Sequence, residues 1–239
     1  MPQAIAQSTT CRASTRPPPD EAVDVRLHMV EEVLGASDPR QVLSAAEWAH
    51  ARQITHGEAW RAYVAGRCLL RQVLSQKVNG MTAPADWRLI EGPHGKPALS
   101  AVQPALRFNL SHAGEAVALA VSRYEVGIDL ELCSAAAALL PEALCAGERT
   151  RLAAVPPGQA AEAFLALWCA KEAAAKALGL GAQLEFHDLE VDPARGEVYL
   201  RGEVYLRTDI VDPPPRIAFR SVSARLNGQA YCLAVALLH

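Results

Sequence analysis

Two carboxylates, separated by a single residue, lie in the apolar segment Val126–Leu132, whose sequence is Val-Gly-Ile-Asp-Leu-Glu-Leu. If this segment is a strand, its side chains alternate, so Asp129 and Glu131 share one face and the apolar residues between them share the other. Neighbouring carboxylates repel each other unless a cation lies between them, and a set of oxygen ligands favours a hard ion such as Mg²⁺. Alone, an Asp-x-Glu pattern is more often a solvated strand face, so the magnesium interpretation needs further residues.

A third carboxylate and a lysine lie on a long predicted helix, residues 159–178. Glu172 and Lys176 are four residues apart and therefore share a helix face, with Trp168 one turn earlier. The simplest interpretation is a surface ion pair, which contributes little to stability. In the functional interpretation, Glu172 completes the metal site and Lys176 neutralises a phosphate held there. Trp168, a large aromatic on the same face, is expected to be packed.

A constrained turn and a strand end supply further polar groups. The turn 95–97, Gly-Lys-Pro, fixes the backbone around Lys96. Ser111 and His112 end a predicted strand just before Gly114, where side chains can meet a ligand. Because neighbours on a strand point to opposite faces, this Ser-His pair is not a hydrolase dyad, and the chain has no G-x-S-x-G elbow.

A basic stretch lies earlier in the chain, in residues 51–77, where apolar residues recur at helical spacing from Glu58 to Val73. Its basic residues, against the single acid Glu58, are Arg52, Arg61, Arg67, Arg71 and Lys77. Such a run is usually a solvated helix face. The alternative is a cradle for an anionic ligand.

The remaining pattern predicts an α+β fold. Ser44, with Glu47 three residues later, is typical of a helix start with a capping box, and Asn227-Gly228 is a strong hairpin signal. Besides 126–132, the segments expected to be strands are 23–29, 106–111, 116–122, 184–191, 197–207, 216–224 and 230–238.

An internal similarity predicts two related halves. Residues 114–121, Gly-Glu-Ala-Val-Ala-Leu-Ala-Val, match residues 228–235, Gly-Gln-Ala-Tyr-Cys-Leu-Ala-Val, at five positions. Each copy follows a strand-like segment, and a long helix precedes each. The halves would then be related by a pseudo-twofold axis. The alternative is a chance likeness, because apolar strands draw on few residue types.

Composition restricts the possible classes. The chain has 239 residues and a formal net charge of −3, so no nucleic-acid partner is expected. Residues 1–20 are polar and proline-containing, which predicts a disordered lead-in without a secretory signal. No apolar run is long enough to span a membrane. The six cysteines show no C-x-x-C spacing, which indicates reduced thiols in a cytoplasmic protein.

Taken together, the order of these segments resembles one family. Gly-Lys-Pro at 95–97, Phe-Asn-Leu-Ser-His at 108–112, Val-Gly-Ile-Asp-Leu-Glu at 126–131 and Trp-Cys-Ala-Lys-Glu-Ala-Ala-Ala-Lys at 168–176 are similar to the 4′-phosphopantetheinyl transferases of the larger, Sfp-type, pseudodimeric class. The resemblance runs from about Trp60 to Gly181. It implies an N-terminal α+β half at 21–123, a C-terminal α+β half carrying the metal site at 124–239, and coenzyme A bound between them.

The resemblance also assigns roles to individual residues. It implies a magnesium ion on Asp129, Glu131 and Glu172, with Glu172 as the general base and Lys176 on a coenzyme A phosphate. Further coenzyme A contacts are implied for Lys96, Ser111, His112 and Arg67, with Arg61 as an alternative to Arg67. One departure concerns the 3′-phosphate of coenzyme A: relatives hold it with lysines, whereas here the preceding helix offers only His50 and Arg52.

The implied reaction moves the 4′-phosphopantetheine arm of coenzyme A to a serine of an apo acyl or peptidyl carrier protein. The products are the holo carrier and adenosine 3′,5′-bisphosphate, and the enzyme is expected to be a monomer. Two alternatives stay open, another magnesium-dependent enzyme such as a nucleotide-phosphate hydrolase, and a non-catalytic paralogue that binds coenzyme A or a carrier. The segment 135–144 is either a carrier-docking surface or a helix packed on the core.

Overall fold

The computed structural model of the chain describes residues 23–92, 95–101, 104–133, 140–180, 184–201 and 215–239. The predicted lead-in at 1–20 and the first half of the candidate docking segment 135–144 lie outside these ranges. Within them, no helix has both the length and the apolar character that crossing a membrane requires.

The fold is α+β, as predicted. The helices are α1 (Val30–Ala36), α2 (Pro39–Val42), α3 (Ala45–Ala51), α4 (Gly57–Lys77), α5 (Ala146–Ala153) and α6 (Pro157–Leu178). The strands are β1 (Asp24–Met29), β2 (Leu89–Glu91), β3 (Pro97–Leu99), β4 (Arg107–Ala113), β5 (Ala116–Ser122), β6 (Val126–Leu132), β7 (Leu189–Asp192), β8 (Glu197–Leu200), β9 (Ile217–Leu226) and β10 (Gln229–Leu238).

The strands form two main antiparallel sheets, each covered by one long helix. The first sheet has the order β1-β5-β4 and the second β6-β10-β9-β8-β7, while β2 and β3 form a separate ribbon. One apolar core lies around α4 and another around α6. A third core, built from residues of β5, β6 and β10, lies between the two sheets. The site segments β4 and β6 therefore meet where the two halves of the chain pack together.

The predicted similarity between the halves has a structural counterpart. In each sheet the three strands that correspond, β1-β5-β4 and β6-β10-β9, stand in the same order. Both matched segments begin at a hairpin turn that contains a glycine with positive φ, +51° at Gly114 and +80° at Gly228. The Asn227-Gly228 hairpin is thus confirmed, and the twofold axis itself stays a prediction.

Most predicted elements are confirmed, and one strand is wrong. Helix α3 starts at Ser44 with the expected capping box to Glu47. The predicted strand 184–191 is instead a short 3₁₀ helix, Phe186–Asp188, followed by β7. The ammonium group of Lys171 donates hydrogen bonds to the carbonyl oxygens of Phe186 and Leu189, so a buried charge organises this segment. The predicted strand at 197–207 ends at residue 200, and residues 202–207 lie outside the described ranges.

The backbone of helix α6 lies unusually close to the backbone of β6 at Gly127. A Cβ atom built on Gly127 would lie 1.9 Å from the carbonyl oxygen of Ala173 and 2.5 Å from the backbone nitrogen of Ala177. Only glycine fits there, because both contacts are with helix backbone. This approach sets the distance between the strand that carries Asp129 and the helix that carries Glu172.

Candidate active site

Six of the predicted site residues line one cavity of about 330 Å³. Strand β6 contributes two acids, helix α6 an acid and a lysine, and strand β4 a serine and a histidine; these are Asp129, Glu131, Glu172, Lys176, Ser111 and His112. The two acids of β6 line the same cavity, as strand alternation predicts. The cavity opens at the junction of the two halves, since β4 belongs to the first sheet and β6 to the second.

Asp129 is the most deeply buried acid of the cavity, with 3% of its surface exposed. Its Oδ1 atom accepts hydrogen bonds from Lys176 Nζ at 2.5 Å and from Ser111 Oγ at 3.1 Å. Its Oδ2 atom is buried and has no hydrogen-bond partner among the described residues. A buried carboxylate oxygen without a partner is costly, so this oxygen has unused capacity for a donor or a cation.

Lys176 joins the two elements that carry the acids. Its Nζ atom lies 4.0 Å from Glu172 Oε2 on its own helix, donates to Asp129 on β6, and donates to Ser111 Oγ at 3.3 Å. The predicted pair with Glu172 is therefore the weaker of its two ion pairs. The contact with Asp129 was not foreseen, because it depends on how α6 packs on β6.

Glu131 has a neutral partner. Trp168 Nε1 donates to Glu131 Oε1 at 3.0 Å. The indole packs against the rings of Phe164 and Phe186, with centroids 6.2 Å and 4.8 Å away. Trp168 is packed as predicted, but its hydrogen bond to an acid of the site was missed.

The acids influence one another. Burial raises the pKa of Glu172 above its ordinary value, and Asp129 and Glu131 add to the rise while Lys176 opposes it. Burial likewise raises the pKa of Glu131, with Asp129 adding to the rise. Three carboxylates around one ammonium leave excess negative charge, which a cation would stabilise.

The set of oxygen donors fits a hard divalent cation, although the described side chains do not converge on a common point. All three acids offer oxygen, the class of ligand that Mg²⁺ selects, and Asp129 Oδ2 is unpaired. No group of three potential ligands among the described residues stands ready to hold a metal ion. Asp129 Oδ1 accepts a hydrogen bond from Lys176 and Glu131 Oε1 accepts one from Trp168, so the ammonium of Lys176 offsets only part of the negative charge in this arrangement.

Lys96 lies outside the cavity lining. Its Nζ atom donates to Glu125 Oε2 at 3.1 Å and to the carbonyl oxygens of Val126 and Ala177, at 3.3 Å and 3.2 Å. These contacts join the start of β6 to the end of α6. Its assignment as a coenzyme A contact stays a prediction.

The candidate arginines of α4 also lie outside the lining. Arg61 forms an ion pair with Glu31, and Arg67 lies over the ring of Tyr63, 5.4 Å from its centroid. The ring of His50 lies 4.9 Å from that of Tyr63. His50, one of the two residues that the preceding helix offers for the 3′-phosphate, is therefore near Arg67. Nucleotide binding by either arginine stays a prediction.

Asn109 is a positioning residue that the sequence reasoning missed. Its Oδ1 atom accepts from the backbone nitrogen of Ile128 at 2.9 Å, and Ser111 Oγ accepts from that of Leu130 at 3.3 Å. Side chains of β4 thus take the place of a strand partner along this edge of β6. Asn109 and Ser111 are two residues apart and share a face of β4, which was a usable signal in the Phe-Asn-Leu-Ser-His segment.

Two models of known protein families match the chain in succession. The model described as the 4′-phosphopantetheinyl transferase superfamily matches residues 125–236. The model described as 4′-phosphopantetheinyl transferase, N-terminal, matches residues 39–124.

Curated relatives carry the same family name. The 4′-phosphopantetheinyl transferase AcpT of Escherichia coli K12 is 36% identical over 131 residues, which are 53% of this chain and 62% of AcpT. The 4′-phosphopantetheinyl transferase HetI of Nostoc sp. PCC 7120 is 32% identical over 164 residues, which are 65% of this chain and 68% of HetI. The chain therefore spans about three fifths of the length of AcpT.

A solved ACPS–CoA complex from Chronobacterium ammoniagenes covers 48% of this chain and 96% of its own, with 22% identity and a TM-score of 0.33, a similarity too low to bear on the fold. Since both family models describe one family and HetI is 32% identical over 68% of its length, the chain belongs to the 4′-phosphopantetheinyl transferase superfamily.

Proposed function

We propose that this protein transfers the 4′-phosphopantetheine arm of coenzyme A to a serine of an apo carrier protein, in a magnesium-dependent reaction. The observation that carries the proposal is the cavity at the junction of the halves, where Asp129, Glu131 and Glu172 meet Lys176. Family membership supports the reaction class. The products are the holo carrier and adenosine 3′,5′-bisphosphate.

The acids of the cavity are the groups that would hold the ion, and Lys176 is the group that binds the phosphate. Asp129, Glu131 and Glu172 would be the ligands of a Mg²⁺ ion, which would supply charge stabilisation at the pyrophosphate of coenzyme A. The Lys176 ammonium exchanges its contact with Asp129 for one with a phosphate oxygen. His112 and Ser111, on β4, contact coenzyme A.

Glu172 accepts the proton of the carrier serine. The serine oxygen attacks the β-phosphorus, the bond from that phosphorus to the bridging oxygen breaks, and adenosine 3′,5′-bisphosphate leaves. A general base works best when its pKa lies near the working pH. Without the ion, burial raises the pKa of Glu172, whereas a bound Mg²⁺ would lower it, so the two effects together would set the pKa of the base.

The setting of the reaction is the cytoplasm, and the working unit is a monomer. All five cysteines within the described residues are free thiols, which is typical of a reducing compartment. Residues of both halves line the cavity, so a single chain supplies the whole set. Outside this cavity, Lys96 contacts coenzyme A, and Arg67, with Arg61 as the alternative, contacts its nucleotide phosphates.

The test is transfer to a panel of apo carriers, followed by intact-mass measurement of each carrier. The wild-type protein should add phosphopantetheine with Mg²⁺ and fail with a chelator. Asp129→Asn keeps the shape of the side chain but removes its charge. The transfer rate should fall on the order of 10³-fold, which corresponds to a loss of several kcal/mol of transition-state stabilisation.

Asp24→Asn is the matched control, because Asp24 also pairs with a lysine, Lys77 at 2.8 Å, but lies outside the cavity lining. Its transfer rate should match that of the wild type. Release of adenosine 3′,5′-bisphosphate with unmodified carriers would instead identify a hydrolase. Absence of modification across the panel, or normal transfer by Asp129→Asn, would refute the proposal.

A further inference from the structure

Trp168 is an aromatic residue of helix α6 that donates a hydrogen bond to an acid of the cavity. Its indole nitrogen donates to Glu131 Oε1 at 3.0 Å across 37 residues of sequence, from α6 to β6. We propose that Trp168 is a positioning residue, which fixes the Glu131 carboxylate in the orientation that a divalent cation needs. This inference rests on the proposed function, since it concerns the same metal site.

The surroundings of Trp168 make it a rigid donor. Its ring packs against those of Phe164, stacked at 6.2 Å, and Phe186, tilted at 4.8 Å. Phe164 is buried, at 2% exposure. An indole that is packed against two other rings loses little freedom when it makes a hydrogen bond. Glu131, in contrast, has a flexible side chain that is only partly buried, so its carboxylate would otherwise sample several orientations.

The chemistry of the donor suits this role. The indole N–H only donates, so it cannot compete with Glu131 for a metal ion. It is also neutral, so the full charge of the carboxylate stays available. Lys176 acts differently on Asp129, because its ammonium cancels the charge of the acid that it contacts. Within one site, Asp129 thus has a charged partner that a metal ion would replace, and Glu131 has a neutral partner that can stay in place.

The experiment measures binding of Mn²⁺, which shares the oxygen preference of Mg²⁺, by the electron paramagnetic resonance signal of the free ion, with and without coenzyme A. Trp168→Phe keeps an aromatic ring at this position and removes the N–H donor, and the control variant accounts for the smaller ring. Loss of a hydrogen-bond partner to a metal ligand typically weakens metal binding by about 10–100-fold, and this is the expected result.

The matched control is Trp87→Phe. Trp87 also donates its indole N–H, to Ser75 Oγ at 2.9 Å, and is 1% exposed, but it lies in the core around α4. Its Mn²⁺ affinity should equal that of the wild type. A fall in affinity comparable to that of Trp168→Phe would show that general loosening, not the contact with Glu131, is responsible, and would overturn the inference.

A second comparison isolates the acid. In a Glu131→Gln background the added change Trp168→Phe should have little further effect, since its target carboxylate is gone. An equal loss in both backgrounds, an unchanged affinity in Trp168→Phe, or no Mn²⁺ binding by the wild type would each overturn the inference. If Mn²⁺ binding follows the expected pattern but no carrier is modified, the inference stands and the proposed function fails.

Discussion

Helix α6 carries two lysines, Lys171 and Lys176, five residues apart, and the structure puts them to opposite uses. Both form ion pairs with a buried acid, at 2.6 Å to Glu148 and 2.5 Å to Asp129. The side chain of Lys171 is 0% exposed, whereas that of Lys176 is 29% exposed. The difference lies in what surrounds each pair.

The Lys171–Glu148 pair is saturated. The ammonium also donates to three carbonyl oxygens, those of Ala143, Phe186 and Leu189. Glu148 accepts from the backbone nitrogens of Cys145 and Val191 as well. With every donor and acceptor used, this pair joins α5, α6 and the segment before β7 and has nothing left for a ligand.

The Lys176–Asp129 pair is unsaturated. Asp129 Oδ2 has no partner within the described part of the chain, and the pair faces an open cavity with two more acids. A saturated buried pair stabilises one structure, whereas an unsaturated pair at a cavity can exchange partners. Saturation and access therefore distinguish the structural lysine, Lys171, from the proposed site lysine, Lys176, better than the ion-pair distance does.

The largest expected effect comes from breaking the saturated pair. Lys171→Met would leave the fully buried Glu148 without its counter-ion. Removing one partner of a buried pair typically costs about 3–5 kcal/mol, and urea unfolding should show a loss of this size.

The double variant Lys171→Met with Glu148→Gln sharpens the result. Cys145 and Val191 donate to different oxygens of Glu148, so a glutamine can still accept from one of them. Because the glutamine also carries no unpaired buried charge, the double variant should be more stable than Lys171→Met alone. If the single variant unfolds within about 1 kcal/mol of the wild type, the pair is not the structural element described here.

The next largest effect concerns the close approach of α6 to β6, on which the contact of Lys176 with Asp129 depends. Gly127→Ala places a Cβ atom 1.9 Å from Ala173 O, so α6 must shift away from β6. Overpacking of this kind costs about 1–3 kcal/mol, and occasionally more. Transfer should fall as well, because the shift separates Asp129 from Lys176.

Gly35→Ala is the matched control, since a Cβ atom on Gly35 in helix α1 has nothing within 4 Å. It should leave transfer unchanged and stabilise the protein by up to about 1 kcal/mol, the helix preference of alanine over glycine. Equal stability of Gly127→Ala and the wild type in urea unfolding would contradict the close approach.

The smallest effect on stability is expected at the unsaturated pair. Lys176→Met leaves Asp129 with Ser111 as its remaining partner, so the loss should be about 1–2 kcal/mol, typical of an under-satisfied buried group. Added Mg²⁺ should restore this stability, because a bound cation replaces the ammonium and stabilises the folded state.

Magnesium should not rescue Lys171→Met, whose acid is closed off from solvent. Thermal unfolding of both variants with and without Mg²⁺ makes the comparison, and coenzyme A titration should show weaker binding by Lys176→Met. The same response to Mg²⁺ in both variants would remove the distinction between the two lysines.

Many of the helices and strands, and the pairs of site residues that share one element, could be predicted from local sequence patterns. The helix at α6, the strand at β6 and the hairpin at Asn227-Gly228 follow from short-range rules. The strand predicted at 184–191 was wrong, because Lys171, distant in sequence, organises that segment. The placement of Lys96 at the end of α6 was also out of reach, since its partners lie 29 to 81 residues away.

The sequence by itself determined which groups share a face, Asp129 with Glu131 on a strand and Glu172 with Lys176 on a helix. It did so because the periods of strand and helix are local properties of the backbone. Only the tertiary structure decided which lysine meets which acid and that Trp168 holds Glu131. Those contacts join residues 23 to 47 positions apart. The two that involve β6 depend on how closely α6 packs on that strand, a distance set by the absent side chain of Gly127.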